Sequence, residues 1–254
     1  MEFKGKTAIS TGAASGMGLL FAQNWAELGG NVVMCDVNEK VLNEKVEEIN
    51  SKNGGRAIGV ICDVRDYAQV CNARDRAVKE FGGIDIVCNF AGGSSTRIQK
   101  VDYKECPEFP DVPIEVFDWG LDVNLKGPFY FAHAVLDQMR KQNSGLIVNI
   151  GSIMGAEGSG YDMDYPTAKA GLMYGLTKSI AQFGSKYGIR CVCVSPGPVL
   201  TRAAMANMHT LLGRAAEPQE IIDLILFIAS DKGQFINGEN ILIDGGRNAA
   251  GRNC

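Results

Sequence analysis

The chain has 254 residues, of which 46% are apolar and 21% charged, with a net charge of −4. That length and balance fit a globular α/β protein and exclude a disordered chain, and the slight negative charge offers nothing to nucleic acid or to an anionic lipid surface. No run of about 18 apolar residues occurs and the start, MEFKGKTAIS, has no long apolar leader core, so neither membrane span nor leader is expected.

Seven short β-branched runs alternate with longer amphipathic stretches, the pattern of parallel strands joined by crossover helices. They fill the chain and leave no room for a second domain. The first run, TAIST (7–11), leads into a turn carrying Gly12, Gly16 and Gly18, then a helix starting near Gly16. Such a turn lets a pyrophosphate approach the N–H groups of a helix N-terminus. It also suits a helix that only packs closely on a strand, and its G-x-x-x-G-x-G spacing is not the commonest dinucleotide fingerprint.

The second run, NVVMCD (31–36), ends in Asp36 about 20 residues after the turn, where a carboxylate can accept hydrogen bonds from an adenosine ribose and would repel a 2′-phosphate. The alternative is a helix N-cap or a loop charge. Neither Ser15 nor Val37 and Asn38 supply the arginine that a phosphorylated ribose needs, so NAD is expected in preference to NADP.

AIGVICDV (57–64) and IDIVCNFAG (84–92) are the next two runs. The longest irregular stretch follows, residues 92–113, broken by three prolines and a candidate for shaping a binding site. Its Arg97, Lys100 and Lys104 could meet an anionic carrier, but Asp102, Glu105, Glu108 and Asp111 offset them, as in an ordinary solvated loop. Asn124 lies in the amphipathic stretch beyond, where asparagine has poor helix propensity. It is either a satisfied amide or an anchor for a water near a lysine.

The fifth run, GLIVNIGS (145–152), ends at Ser152, at the sheet edge where ligands bind in open α/β proteins. GYDMDYPTAKAG (160–171) then sets two tyrosines four residues apart. Only Tyr165 has a lysine four residues on, with Pro166 in the first turn of a helix that places Lys169 on the same face. An ammonium there, aided by the helix N-terminus, lowers a phenol from its usual value of about 10. Tyr161 lacks this activation and reads as an aromatic wall. Alone, a Tyr/Lys pair at this spacing is also what an exposed helix face shows.

IRCVCVSPG (189–197) and NILIDGG (240–246) complete the set. Cys35, Cys62, Cys88, Cys191 and Cys193 sit inside apolar runs, so the cysteines read as buried thiols of a cytoplasmic protein rather than a disulfide framework. With no CxxC and only His133 and His209, no metal site is expected.

Taken in order, these segments resemble the classical short-chain dehydrogenases/reductases over nearly the whole chain. TGAASGMG is similar to that family's TGxxxGxG turn, CDV (62–64) to its adenine-holding acidic dipeptide, and NFAG (89–92) to its NNAG. PGPVLT (196–201) is similar to its PG motif and IDGG (243–246) to the end of its last strand. Asn124, Ser152, Tyr165 and Lys169 match its catalytic tetrad, with thirteen residues from Ser152 to Tyr165. Phe90 departs from NNAG, and PTAK departs from the serine often found before the lysine.

The resemblance implies a single-domain, Rossmann-type, doubly wound parallel sheet of seven strands with helices on both faces. Tyr165 would be the general acid/base, Ser152 would orient the substrate oxygen, Lys169 would tune the phenol and bind the nicotinamide ribose, and Asn124 would hold a water. The cofactor contacts implied are Gly12, Ser15, Gly16, Met17 and Gly18 at the turn, then Asp36, Asp63 and Val64. Asn89, Ala91 and Gly92 follow, then Tyr165, Lys169, Pro196, Gly197, Val199 and Thr201. The family's habit implies a homo-oligomer, a tetramer rather than a dimer.

Ser94, Met154, Tyr161, Met163 and Met205, with Ser152, are candidates to line the substrate end, although methionines also serve as core fillers. The mixture of apolar and hydroxyl groups suits a bulky secondary alcohol such as a hydroxysteroid, and equally a polyol, a sugar or a 3-oxoacyl thioester. A dinucleotide sensor would dispense with Tyr165 or Lys169. A methyltransferase would have no use for that pair or for the PG motif.

Overall fold

The computed structural model describes residues 2–52, 54–94, 108–201 and 203–250. Strands β1 (Thr7–Thr11), β2 (Asn31–Asp36), β3 (Ala57–Ile61), β4 (Ile86–Asn89), β5 (Gly145–Ile150), β6 (Ile189–Pro196) and β7 (Asn240–Ile243) form one sheet in the order β3-β2-β1-β4-β5-β6-β7. Every pairing is parallel. The runs of Val, Ile and Cys are buried on both faces, as a parallel sheet covered by helices requires.

The crossovers are α1 (Gly16–Glu27), α2 (Glu39–Asn50), α3 (Tyr67–Phe81) and α6 (Pro218–Ala229), together with two composite helices. Helix α4 runs through Ile114–Leu121, a π-helical turn at Asp122–Lys126, and Gly127–Gln142. Helix α5 runs through Asp164–Ala170, a π-helical turn at Gly171–Leu176, and Thr177–Gly184. Asn38 and Asp66 cap α2 and α3 through their side chains, and Gly82, at φ 83°, ends α3 in the left-handed region.

One apolar layer, with Phe21, Trp25, Leu42 and Ile225, joins the sheet to α1, α2 and α6. The other, with Val70, Phe131, Met139 and Ile180, joins it to α3, α4 and α5. The expected doubly wound seven-stranded sheet is therefore observed. Strand order reverses between β1 and β4, which opens a crevice at their carboxyl ends, and the Ala91 N–H donates to Thr11 Oγ1 across it at 2.9 Å.

Five strands end earlier than their apolar runs: β3 at Ile61, β4 at Asn89, β5 at Ile150, β6 at Pro196 and β7 at Ile243. In all but β7, the residues trimmed from those ends include crevice lining, and apolar composition does not distinguish a strand's last residue from the turn it enters. Arg97, Lys100, Asp102, Lys104 and Glu105 lie outside the described residues. No group among the described residues is arranged to hold a metal ion, and no helix among them is long and apolar enough to cross a membrane. Six cysteines, including all five placed in apolar runs, are free thiols.

Candidate active site

A cleft of about 920 Å³ runs along the carboxyl ends of the strands, lined at one end by the glycine turn and Asp36 and at the other by Ser152, Tyr165 and Lys169. The three glycines of the turn have different physical duties. Gly12 adopts φ 63°, and a Cβ on it would lie 3.2 Å from the Ala91 backbone. Gly16 needs its φ of 57°, and Gly18 brings α1 against the turn, since a Cβ there would stand 2.6 Å from the Gly12 carbonyl oxygen. Ser15 makes no side-chain cap and the first turn of α1 carries no acid. The N–H groups at this helix end therefore face the cleft as an anion cradle, which fits a dinucleotide pyrophosphate.

Asp36 stands beside that cradle. Its carboxylate accepts from the Ala14 and Asn38 N–H groups, each at 3.0 Å, and Asn38 rather than Asp36 caps α2. The helix-cap alternative is thereby removed: Asp36 lines the cleft and anchors the turn. Asp63 and Val64 line the same end, and so does Arg65, which sequence reasoning missed although it lies two residues beyond Asp63. The Arg65 side chain donates to both Asp63 oxygens, at 2.6 to 3.1 Å, and holds that carboxyl below its ordinary range.

At the other end, Ser152 follows β5 and its Oγ accepts from the Met154 N–H at 3.2 Å. Tyr165 is the second residue of α5 and Lys169 lies one turn further on. Lys169 is 4% exposed; its Nζ donates to the Ile150 carbonyl at 2.7 Å and stands 5.4 Å from the centroid of the Tyr165 ring. Burial brings this ammonium down from 10.5 to about 8. Gly92 closes the group, since a Cβ on it would lie 2.7 Å from Asn124 Oδ1 and 3.4 Å from Lys169 Nζ.

Asn124 occupies the π turn of α4, where a widened hydrogen-bond ladder is common at functional sites. Its Nδ2 donates to the Gly93 and Gly120 carbonyls and its Oδ1 accepts from the Gly93 N–H. Both amide hydrogens and Oδ1 thus lock the segment that follows β4, and the side chain does not line the cleft. Asn89 also lies behind the lining: 2% exposed, it donates to Asn149 Oδ1 at 2.9 Å. The Asn149 amide donates in turn to Thr177 Oγ1, whose hydroxyl donates to the Leu172 carbonyl in the π turn of α5. Asn89 is thus an interior contact between strands, not a wall of the cleft, because a residue ending a strand can point into the sheet as readily as out.

Ala91, Gly92, Pro196, Gly197, Val199, Thr201 and Met17 line the cleft with the residues above. Phe90, the departure from NNAG, packs on Phe21 at 5.6 Å between ring centroids and also lines the cleft. Of the candidates for the substrate end, Ser94, Ser152, Met154 and Met205 form its walls. Tyr161 and Met163 do not: Tyr161 is 75% exposed, turned to solvent ahead of α5. Trp119, Asp162 and Met208 take part instead. Trp119 precedes Asn124 by five residues on α4, a relation that only the packing of α4 beside the cleft makes meaningful.

The family profile described as Enoyl-(Acyl carrier protein) reductase matches residues 12–248. Among curated proteins, the trans-4-hydroxycyclohexanecarboxylate dehydrogenase of Sinomonas cyclohexanicum is 38% identical over 96% of this chain and 93% of its own. The 7alpha-hydroxysteroid dehydrogenase of Bacteroides fragilis is 31% identical over 96% and 95%. A crystal structure of a 3-oxoacyl-[acyl-carrier protein] reductase with bound NAD from Brucella melitensis superposes with a TM-score of 0.85 at 29% identity, covering 96% of this chain and 91% of that one.

Proposed function

Because the chain belongs to the classical short-chain dehydrogenase/reductase family and is an alcohol/ketone oxidoreductase using a nicotinamide cofactor, we propose that it interconverts a secondary alcohol and a ketone with NAD in preference to NADP. One observation carries this reading: the anion cradle of α1 and the Ser152, Tyr165 and Lys169 side chains open onto one continuous cleft. A nicotinamide bound there supplies or accepts the hydride. Tyr165 gives or takes the proton on the substrate oxygen, and Ser152 holds that oxygen against the phenol. Lys169, charged below about pH 8, stabilises the phenolate across the short gap between them.

Two oxygen-directed hydroxyls at the reacting end favour chemistry at a carbon–oxygen bond over reduction of a carbon–carbon double bond. Methionine and tryptophan walls favour a bulky, largely apolar alcohol such as a hydroxysteroid or a substituted cyclohexanol, and the similarity to the hydroxycyclohexane and hydroxysteroid enzymes supports this. A 3-oxoacyl thioester is the second reading, supported by the likeness to the Brucella reductase. Asp36 supports NAD, because its carboxylate stands where a 2′-phosphate would be repelled. Exposed Phe129, Tyr174 and Phe183 on α4 and α5 support a homotetramer, and the buried free thiols support a cytoplasmic setting.

The test is NAD-linked oxidation of a panel of hydroxysteroids, 4-hydroxycyclohexanecarboxylates, polyols and 3-hydroxyacyl thioesters, with NADP run in parallel. Turnover of a secondary alcohol with NAD favoured is the expected result. Failure to bind NADH, followed by fluorescence, overturns the reading.

A further inference from the structure

The segment after β7 is tied to both walls of the substrate end. Arg247 Nε and Nη2 donate to Glu157 Oε1 and Oε2 at 2.8 and 2.9 Å, joining residues 90 apart in sequence. The two side chains are 25% and 26% exposed. A guanidinium gripping a carboxylate with two parallel bonds fixes direction as well as distance, so such a pair constrains geometry more than it stabilises the fold.

Glu157 ends the short helical turn Met154–Glu157 that follows Ser152. The Gly155 N–H donates to the Ser152 carbonyl at 2.9 Å. A Cβ on Gly155 would meet Met173 Sδ at 2.5 Å and the Ala170 nitrogen at 2.9 Å, so the turn lies flush on α5 immediately after Lys169. On the Arg247 side, the Gly245 carbonyl accepts from the Leu212 N–H at 3.1 Å, and a Cβ on Gly246 would touch Leu211 at 3.0 Å. The C-terminal turn thereby seats the segment that follows Met205 and Met208. Met154, from the turn that Glu157 ends, and Met205 and Met208, ahead of the segment seated on the Arg247 side, all line the cleft.

We propose that Arg247 and Glu157 are positioning residues, a clip across the two walls that sets the width of the substrate end and so acts on substrate binding and not on cofactor binding. This rests on reading that end of the cleft as the substrate pocket. The glycine turn and Asp36 lie at the opposite end, so opening the clip leaves them in place.

The experiment uses the full chain with NAD and trans-4-hydroxycyclohexanecarboxylate as the probe alcohol, or whichever alcohol of the panel the wild type oxidises. Arg247→Ala and Glu157→Gln should each raise KM about tenfold, with kcat within about twofold and the NADH dissociation constant unchanged. The double exchange Glu157→Arg with Arg247→Glu should recover most of the loss. Amide hydrogen exchange should quicken over residues 153–158 and 208–214 in the single variants and stay as in the wild type around the glycine turn. An unchanged KM in both single variants, or unchanged exchange in both segments, overturns the clip. If the wild type turns over no alcohol, the functional reading fails instead, and the exchange rates alone decide the clip.

Discussion

Lys169 Nζ stands 5.4 Å from the centroid of the Tyr165 ring while its proton is shared with the Ile150 carbonyl, so the cation beside the phenol is held by backbone and not by a competing carboxylate. A charge fixed in this way acts on the phenol without being neutralised by it. Tyr165→Phe removes the proton carrier and leaves the ammonium, the glycine turn and Asp36 as they were. Its turnover should fall by about 10³-fold or more, within the range general acid–base groups contribute, while NADH affinity stays within about twofold. Steady-state rates and fluorescence titration check the two halves. Retained turnover removes Tyr165 from the chemistry.

Burial of Lys169 has a consequence for stability. Its ammonium titrates at about 8 in the folded chain and at its ordinary 10.5 when unfolded. Between those values the unfolded chain holds a proton that the folded chain has released, so stability rises with pH across the window. Below about pH 8 both states are protonated and the burial cost is carried in full. Urea unfolding of wild type and Lys169→Met, compared at intervals from about pH 7 to pH 10.5, should show the wild type gaining about 3 kcal/mol relative to the variant. A flat difference would mean that the lysine is not desolvated.

Much of this was legible in the sequence because local rules act on contiguous residues. The alternation of apolar runs with amphipathic stretches specifies the strands, and the Tyr165, Pro166, Lys169 spacing places the pair on one face of the start of α5. What escaped depends on the third dimension. Asn89 and Phe90 are neighbours in one motif, yet one turns into the sheet and the other lines the cleft, because side chains alternate at a strand end. Both π turns were invisible, since an added residue in a helix changes hydrogen bonding without changing composition. Trp119 shares α4 with Asn124, and Met208 follows Thr201 by seven residues, but nothing in their spacing marks either as a wall of the substrate end, and only packing brings them there.

Asp36 is expected to choose the cofactor. Its two oxygens hold the Ala14 and Asn38 N–H groups, so the carboxylate is aimed across the mouth of the glycine turn. Asp36→Ala removes both the ribose acceptor and the charge that repels a 2′-phosphate. The ratio of NADPH to NADH dissociation constants should drop by about tenfold, equivalent to about 1.4 kcal/mol. Titration with both reduced cofactors measures it, and an unchanged ratio shows that selectivity comes from elsewhere.

The buried chain from Asn89 through Asn149 and Thr177 to Leu172 connects β4 and β5 with the π turn that follows Lys169. Thr177 is its pivot: fully buried, it accepts from the Asn149 amide at 3.0 Å and donates to the Leu172 carbonyl at 2.7 Å. The Leu172 carbonyl also accepts from the Thr177 N–H across the π turn, so the hydroxyl is its second donor, whereas the Asn149 amide otherwise meets only the Cys191 sulfur, at 3.6 Å. Thr177→Val keeps the shape and deletes both side-chain bonds, leaving an Asn149 amide hydrogen without its oxygen acceptor in the interior while the Leu172 carbonyl keeps the Thr177 N–H. The variant should lose about 2 kcal/mol in urea unfolding, since a stranded buried group costs about 1 to 3 kcal/mol. Thr177→Ser, which keeps the hydroxyl and gives up only a methyl group, should recover most of that loss. Equal loss in both variants would assign the effect to packing and dissolve the proposed link between the strands and the α5 turn.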